Sequence, residues 1–322
     1  MQPRRLLLLL LAIAAIPAWA QDPGTLDPKP LPPLANPNDP QLPARELFGR
    51  KADPAAMPPR SIGFYSKGCL AGAVALPING ETWQVMRLSR NRNWGNPHLI
   101  QFLERLSVKV HKVAGWPGLL VGDISQPRGG PMLTGHASHQ VGLDADIWLT
   151  PMPNRKLSRA EREDMSATMV VAESRTDVDP NVWTPGHFEV IKAAAQEPEV
   201  QRIFVNAAIK KALCREAKGE RAWLNKVRPM YGHDYHFHIR IKCPADSADC
   251  KPQDAVPPGD GCSSGDLSFW FTDAVIHPEP PKEPAEPSKV PTLAQLPAAC
   301  RGVVRRPKRP GILLAKSSPR GR

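Results

Sequence analysis

Two short stretches of the chain carry residue types that do chemistry. The first is His136-Ala137-Ser138-His139-Gln140-Val141-Gly142-Leu143-Asp144-Ala145-Asp146, and the second is His233-Asp234-Tyr235-His236-Phe237-His238. Together they hold five of the nine histidines and three aspartates. Imidazole nitrogens and carboxylate oxygens suit a divalent zinc ion. A zinc with three protein ligands and one open position polarises a carbonyl and generates hydroxide near neutral pH. The two clusters point to a metal-dependent hydrolase.

Such residues need rigid elements to hold them. Leu143 to Leu149 alternates, with Leu143, Ala145, Ile147 and Leu149 on one side and Asp144, Asp146 and Trp148 on the other. Tyr235 to Lys242 alternates too: His236, His238, Arg240 and Lys242 oppose Phe237, Ile239 and Ile241. Period two is a strand, and residues two apart share a face. The polar faces of two strands, each backed by apolar residues, are expected to converge on one pocket. His139 lies just before the aspartate strand, and Gly142 lets the backbone turn sharply enough for His139 and Asp146 to reach one ion. Two histidines and one aspartate leave the fourth zinc position open. An H-x-H or H-x-x-H pair alone is a weak signal, because most histidines are surface or hydrogen-bonded core residues; their coincidence with the aspartate strand carries the argument. Asp144 reads either as a group that orients a ligand or as a solvated strand residue. Three roles are open to His233: assisting, binding a second ion, or capping a loop.

The rest of the domain mixes short elements. An Asn79-Gly80 turn separates the runs Leu70–Ile78 and Trp83–Leu88, a hairpin signal whose spacing suggests a longer loop. Leu99, Leu103, Leu106, Val110 and Val113 predict an amphipathic helix over about 97–113. Leu119–Ile124 reads as a buried strand, and Gly129, Gly130 and Gly135 mark the loop into the first histidine cluster. Ser158 with Glu161 makes a capping box for a helix to about Ala172. Phe188–Ala195 and Ala207–Ala217 read as helices, with a short strand at Arg202–Val205. Without a repeating βαβ rhythm the class is α+β. The expected architecture is a small central antiparallel sheet carrying the zinc site, flanked by helices and loops and stapled by disulfides.

Arg4-Arg5, the apolar run Leu6–Ile16 and the end Ala18-Trp19-Ala20 read as a secretory signal peptide over 1–20. The run is short for a span of roughly 20 residues, and no later stretch is apolar enough. Six cysteines, with no C-x-x-C among them, suit an exported, disulfide-bonded chain. The 38 prolines cluster at the ends. Residues 21–59 read as a Pro-rich N-terminal arm, 60–275 as one domain with a proper core and 276–322 as a Pro-rich basic tail; the resemblance set out below makes the middle part a zinc metallopeptidase domain and tethers the tail near Cys300. Much of the formal net charge of +11 sits in that tail, which favours polyanions. An exported chain has little to do with nucleic acid; anionic wall polymer or lipid is the more sensible target, and a merely solubilising tail is the plain alternative.

At these residues the chain resembles the penicillin-insensitive murein endopeptidases. The resemblance runs from Gly135 through Ile147, then Arg202-Ile203-Phe204-Val205-Asn206, Lys226-Val227-Arg228-Pro229, His238-Ile239-Arg240, Cys243-Pro244-Ala245-Asp246-Ser247 and Gly259-Asp260-Gly261-Cys262. It covers about residues 60–275. It implies the fold shared by lysostaphin-type and D-Ala-D-Ala metallopeptidases and the hedgehog domain. It implies Zn2+ ligands at His139, Asp146 and His238, a catalytic rather than ligating His236, and a supporting or second-metal role for His136. It implies the disulfides Cys69–Cys300, Cys214–Cys262 and Cys243–Cys250. The resemblance allows further metal-contacting aspartate and histidine near Ser174–Asp177; this stretch holds no histidine, which argues against a second site of that kind.

The function so implied is a periplasmic zinc endopeptidase that cleaves D-alanyl–meso-diaminopimelyl crosslinks of peptidoglycan and is indifferent to penicillin. Two alternatives are a D,D-carboxypeptidase acting on stem peptides and a non-catalytic, zinc-containing wall-binding protein. Peptidoglycan is the expected partner; the sequence names no protein partner.

Overall fold

The computed structural model describes residues 31–278 and 291–307. The expected signal peptide at 1–20, the first part of the arm and the end of the basic tail lie outside the described residues. Among the described residues no helix is long and apolar enough to cross a membrane.

The strand expected from the aspartate alternation runs Asp144–Trp148, and the histidine strand runs His236–Ile241. They are the middle pair of a six-stranded sheet in the order Trp83–Val85, Leu119–Val121, Asp144–Trp148, His236–Ile241, Val200–Val205, Val227–Pro229. The fold is α+β, as the mixed elements predict. The sheet is antiparallel only through its centre: Trp83–Val85 pairs parallel with Leu119–Val121, and Val200–Val205 pairs parallel with Val227–Pro229. The expectation of a small central antiparallel sheet holds for the four middle strands, and each edge strand is parallel to its neighbour. A parallel pair requires a long crossover, and the helices Pro97–Ala114 and Ala207–Glu216 supply the two here.

Local chemistry explains the long helix. Asn96 caps it by accepting from the His98 amide, Pro97 occupies the first turn, and Gly115 ends it at φ +68°. Leu99, Leu103, Leu106 and Val110 point inward and are buried with Phe237, Ile239, Ala145 and Ile147 in one core. The helix beginning at the Ser158–Glu161 capping box is shorter than expected, ending at Asp164 rather than near Ala172. Arg87 donates to the carbonyls of Arg162, Glu163 and Met165 and closes that end. The following chain bonds elsewhere: the Thr168 amide to Thr150 Oγ1 and the Val170 amide to the Asp234 carbonyl.

Three disulfides join Cys69 to Cys300, Cys214 to Cys262 and Cys243 to Cys250. The first lies in a second, smaller core with Ala44, Phe48, Ala55, Val303 and Val304, all buried. The described parts of the stretches read as a Pro-rich arm at 21–59 and as a tail tethered near Cys300 at 276–322 include helical elements. Ala44–Phe48 is a helical turn, and Ala299–Arg305 is a helix packed beside it. Arg128 secures the junction by donating to the carbonyls of Asp53, Val303, Val304 and Arg306. A cation at a helix C-terminus satisfies carbonyls that the helix itself leaves unpaired.

Candidate metal centre

Register brings the two clusters together. His238 stands directly opposite Asp146, Arg240 opposite Asp144, and His236 opposite Trp148. Facing residues on an antiparallel pair lie roughly 4.5–5.5 Å apart at Cβ, so their side chains meet. Phe237, Ile239, Ala145 and Ile147 are buried on the opposite face and anchor both strands.

His139 reaches this face from the loop before the strand. Its φ is +65°, and that of Gly142 is +69°. A side chain at Gly142 would meet the Leu70 side chain at 2.5 Å and the Asn96 amide nitrogen at 2.9 Å, so only glycine fits. A left-handed non-glycine residue costs on the order of 1–2 kcal/mol and persists where its surroundings hold it. Here the His139 amide donates to Asp144 Oδ2 at 3.1 Å, and Ser125 Oγ donates to its carbonyl at 2.5 Å.

The ring nitrogens are sorted by their neighbours. His139 Nδ1 lies 2.5 Å from the Ile124 carbonyl, to which it donates, so Nε2 faces inward. His238 Nε2 lies 2.9 Å from Asp144 Oδ1, so Nδ1 faces inward. His139 Nε2 and His238 Nδ1 each lie 3.4 Å from Asp146 Oδ1. His136 Nδ1 is 3.5 Å from Asp146 Oδ2. His236 Nε2 is 3.7 Å from Asp146 Oδ1 and the residue lines an adjoining cleft of about 300 Å³. The ring of His233 lies 4.8 Å from that of His236, and its Nδ1 is bonded to the Tyr231 carbonyl. Asp177, in the stretch lacking histidine, pairs instead with Lys211 and Arg215.

These groups fit a divalent ion. His139 Nε2 and Asp146 Oδ1 are buried without a hydrogen-bond partner among the described residues. Burying such atoms unpaired is costly. Donor atoms of His136, His139 and Asp146 lie within 4.8 Å of one another. Ligand atoms about 2.0–2.2 Å from a tetrahedral zinc are themselves roughly 3.3–3.5 Å apart, the separation of the two imidazole nitrogens from Asp146 Oδ1.

The electrostatics are those of a buried anionic site with a cationic frame. Burial pushes the Asp146 carboxyl up, but His139, His236 and His238 outweigh it and hold the group well below the usual range. Burial acts on Asp144 in the same direction and is outweighed by Arg240 and His238. Arg240 Nε is 2.7 Å from Asp144 Oδ1, and its guanidinium lies 4.1 Å over the Tyr65 ring. Burial lowers His236 and His238 to about 4, leaving both neutral at pH 7, the state that ligates or accepts a proton. His139 is raised, because the nearby Asp146 outweighs burial.

Two contributors escaped the sequence reading. Arg240 shares its strand face with His236 and His238, and alternation alone assigns it no role. Asp123 was missed, although a carboxylate just past an apolar strand and just before the histidine cluster was the signal available. It is buried and bonds His136 Nε2 at 3.0 Å and Arg92 at 2.8 Å.

A family model described as penicillin-insensitive murein endopeptidase matches residues 61–305. A penicillin-insensitive murein endopeptidase of Haemophilus influenzae is 48% identical over 248 residues, covering 77% of this chain and 83% of that protein. Proteins of the same description from Klebsiella pneumoniae and Escherichia coli are each 43% identical over 245 residues, covering 76% of this chain and 86% of theirs.

Proposed function

The chain belongs to the penicillin-insensitive murein endopeptidase family, and on that premise we propose that it is a periplasmic zinc metallo-endopeptidase cutting D-alanyl–meso-diaminopimelyl crosslinks of peptidoglycan. The observation that carries the zinc reading is the pair of orphaned buried atoms, His139 Nε2 and Asp146 Oδ1, 3.4 Å apart and facing His238 Nδ1. His139, Asp146 and His238 are the residues we assign to hold the ion, with His136 supporting them or serving a further ion.

A zinc held there supplies Lewis acidity, which polarises a carbonyl and makes water acidic near neutral pH. The chain's own residues do the rest. Asp144 and the Ile124 carbonyl fix which nitrogen of His238 and His139 faces inward, the usual task of outer partners. His236 lines the cleft as a neutral base, and its buried Nδ1 has no partner among the described residues. It is placed to exchange a proton with a peptide lying across the cleft. This chemistry needs no serine nucleophile, which accounts for indifference to penicillin. The wall substrate and three disulfides support a periplasmic site of action.

The test is incubation of the mature protein with crosslinked muropeptide dimers and with monomeric pentapeptide, with and without a chelator. The proposal expects monomers from dimers, restored by zinc after chelation, and an intact pentapeptide. Release of terminal D-alanine alone would make it a carboxypeptidase, and no turnover in zinc-replete buffer would leave only a wall-binding role.

A further inference from the structure

The cleft beside the candidate metal centre has a basic wall that holding an ion does not explain. One oxygen, Asp123 Oδ2, takes three donors: Arg92 Nη1 at 2.8 Å, His136 Nε2 at 3.0 Å and Arg90 Nη1 at 3.1 Å. Two guanidiniums and an imidazole thus share one carboxylate oxygen.

The arginines differ in what they have left to offer. Arg92 has a side chain only 11% exposed and also donates to the Thr134 carbonyl and hydroxyl. Arg87 donates to three backbone carbonyls. Arg90 lines the cleft with a side chain 48% exposed, and its described side-chain hydrogen bond uses Nη1 alone. A guanidinium has further donors in a planar fork that matches a carboxylate. Such a group, anchored at one corner and open to a cleft, suits an anionic part of the substrate.

The crosslink assigned above has that anion in one fixed place. In a D-alanyl–diaminopimelyl bond, the carbon bearing the leaving nitrogen also bears a free carboxylate. Arg90 is tied to the candidate centre by two short steps: it shares Asp123 Oδ2 with His136, whose Nδ1 lies 3.5 Å from Asp146 Oδ2. We propose that Arg90 binds the free carboxylate on the leaving-group side of the crosslink and so selects diaminopimelate as the residue released. The assignment rests on the crosslink reading of the preceding subsection. Binding there orients the scissile bond against the centre, and Asp123 holds the guanidinium in place.

The experiment compares two muropeptide dimers, one with that carboxylate free and one with it as the carboxamide, on the zinc-loaded wild type, Arg90→Gln and Arg90→Lys. Wild type should favour the free acid roughly ten- to hundredfold in kcat/KM, the range expected for losing a charged hydrogen bond. Arg90→Gln should lose that factor on the free acid, chiefly through KM, and change little on the carboxamide. Arg90→Lys should recover part of it. Equal losses on both dimers would overturn the proposal and make Arg90 a positioning residue for Asp123, and so would equal cleavage of both dimers by wild type. Failure of wild type on both dimers would instead remove the crosslink reading, and this proposal with it.

Discussion

His238 Nε2 lies 2.9 Å from Asp144 Oδ1, and this one bond decides which nitrogen of His238 faces Asp146. The same carboxylate accepts the backbone amide of His139 and the Nε of Arg240. One buried acid thus orients parts of both sequence clusters while a buried cation keeps it ionised. Asp144→Asn keeps the shape and removes the charge. It should weaken zinc binding about 10–100-fold, read by chelator competition on purified protein. Unchanged affinity would demote Asp144 to a structural strand residue.

His236 is proposed to act on protons and not as a ligand, although its Nε2 stands only 3.7 Å from Asp146 Oδ1. His236→Ala should retain one zinc per chain by elemental analysis while kcat on muropeptide dimers falls about 10²–10⁴-fold, the usual weight of a proton-transfer group. Loss of the metal in step with activity would make it a ligand instead.

Lys210 is expected to give the fold a pH dependence of its own. Its ammonium is fully buried and donates to the carbonyls of Leu224 and Asp260. Burial, reinforced by Arg228, lowers it to about 7. An unfolded lysine titrates near ~10.4. Between those values the unfolded chain holds the proton more often than the folded one, so stability rises with pH across that window and flattens below it. Urea midpoints at pH 7 and pH 9 should show the rise in wild type and its absence in Lys210→Met.

Phe48 tests whether the N-terminal segment belongs to the domain. Its ring is fully buried and lies against Gly130, where an added Cβ would sit 2.3 Å from the ring. Gly130 belongs to the loop that leads into the first histidine cluster. Phe48→Ala should cost about 3–5 kcal/mol, measured by denaturant unfolding with the disulfides intact. A loss within a few tenths of a kcal/mol would return this segment to the status of an arm.

The sequence by itself determined the two reactive strands. Period-two alternation put Asp144 with Asp146 and His236 with His238 on single faces, and apolar residues behind them demanded burial. The capping box at Ser158 marked a helix start, and the 97–113 periodicity marked the long helix, because such signals act within a few residues. The extent of the Ser158 helix was not legible, since Arg87, Thr150 and Asp234 take its backbone partners from far along the chain. Only the tertiary structure decided that His238 faces Asp146, that Asp144 turns the His238 ring, and that Asp123 braces His136. It also folded the segment at Ala44–Phe48 against Val303 and Val304 through a core that neither end could form alone. Burial drives each of these, and burial depends on residues that are neighbours in space after the sheet closes, whereas local spacing records only neighbours along the chain.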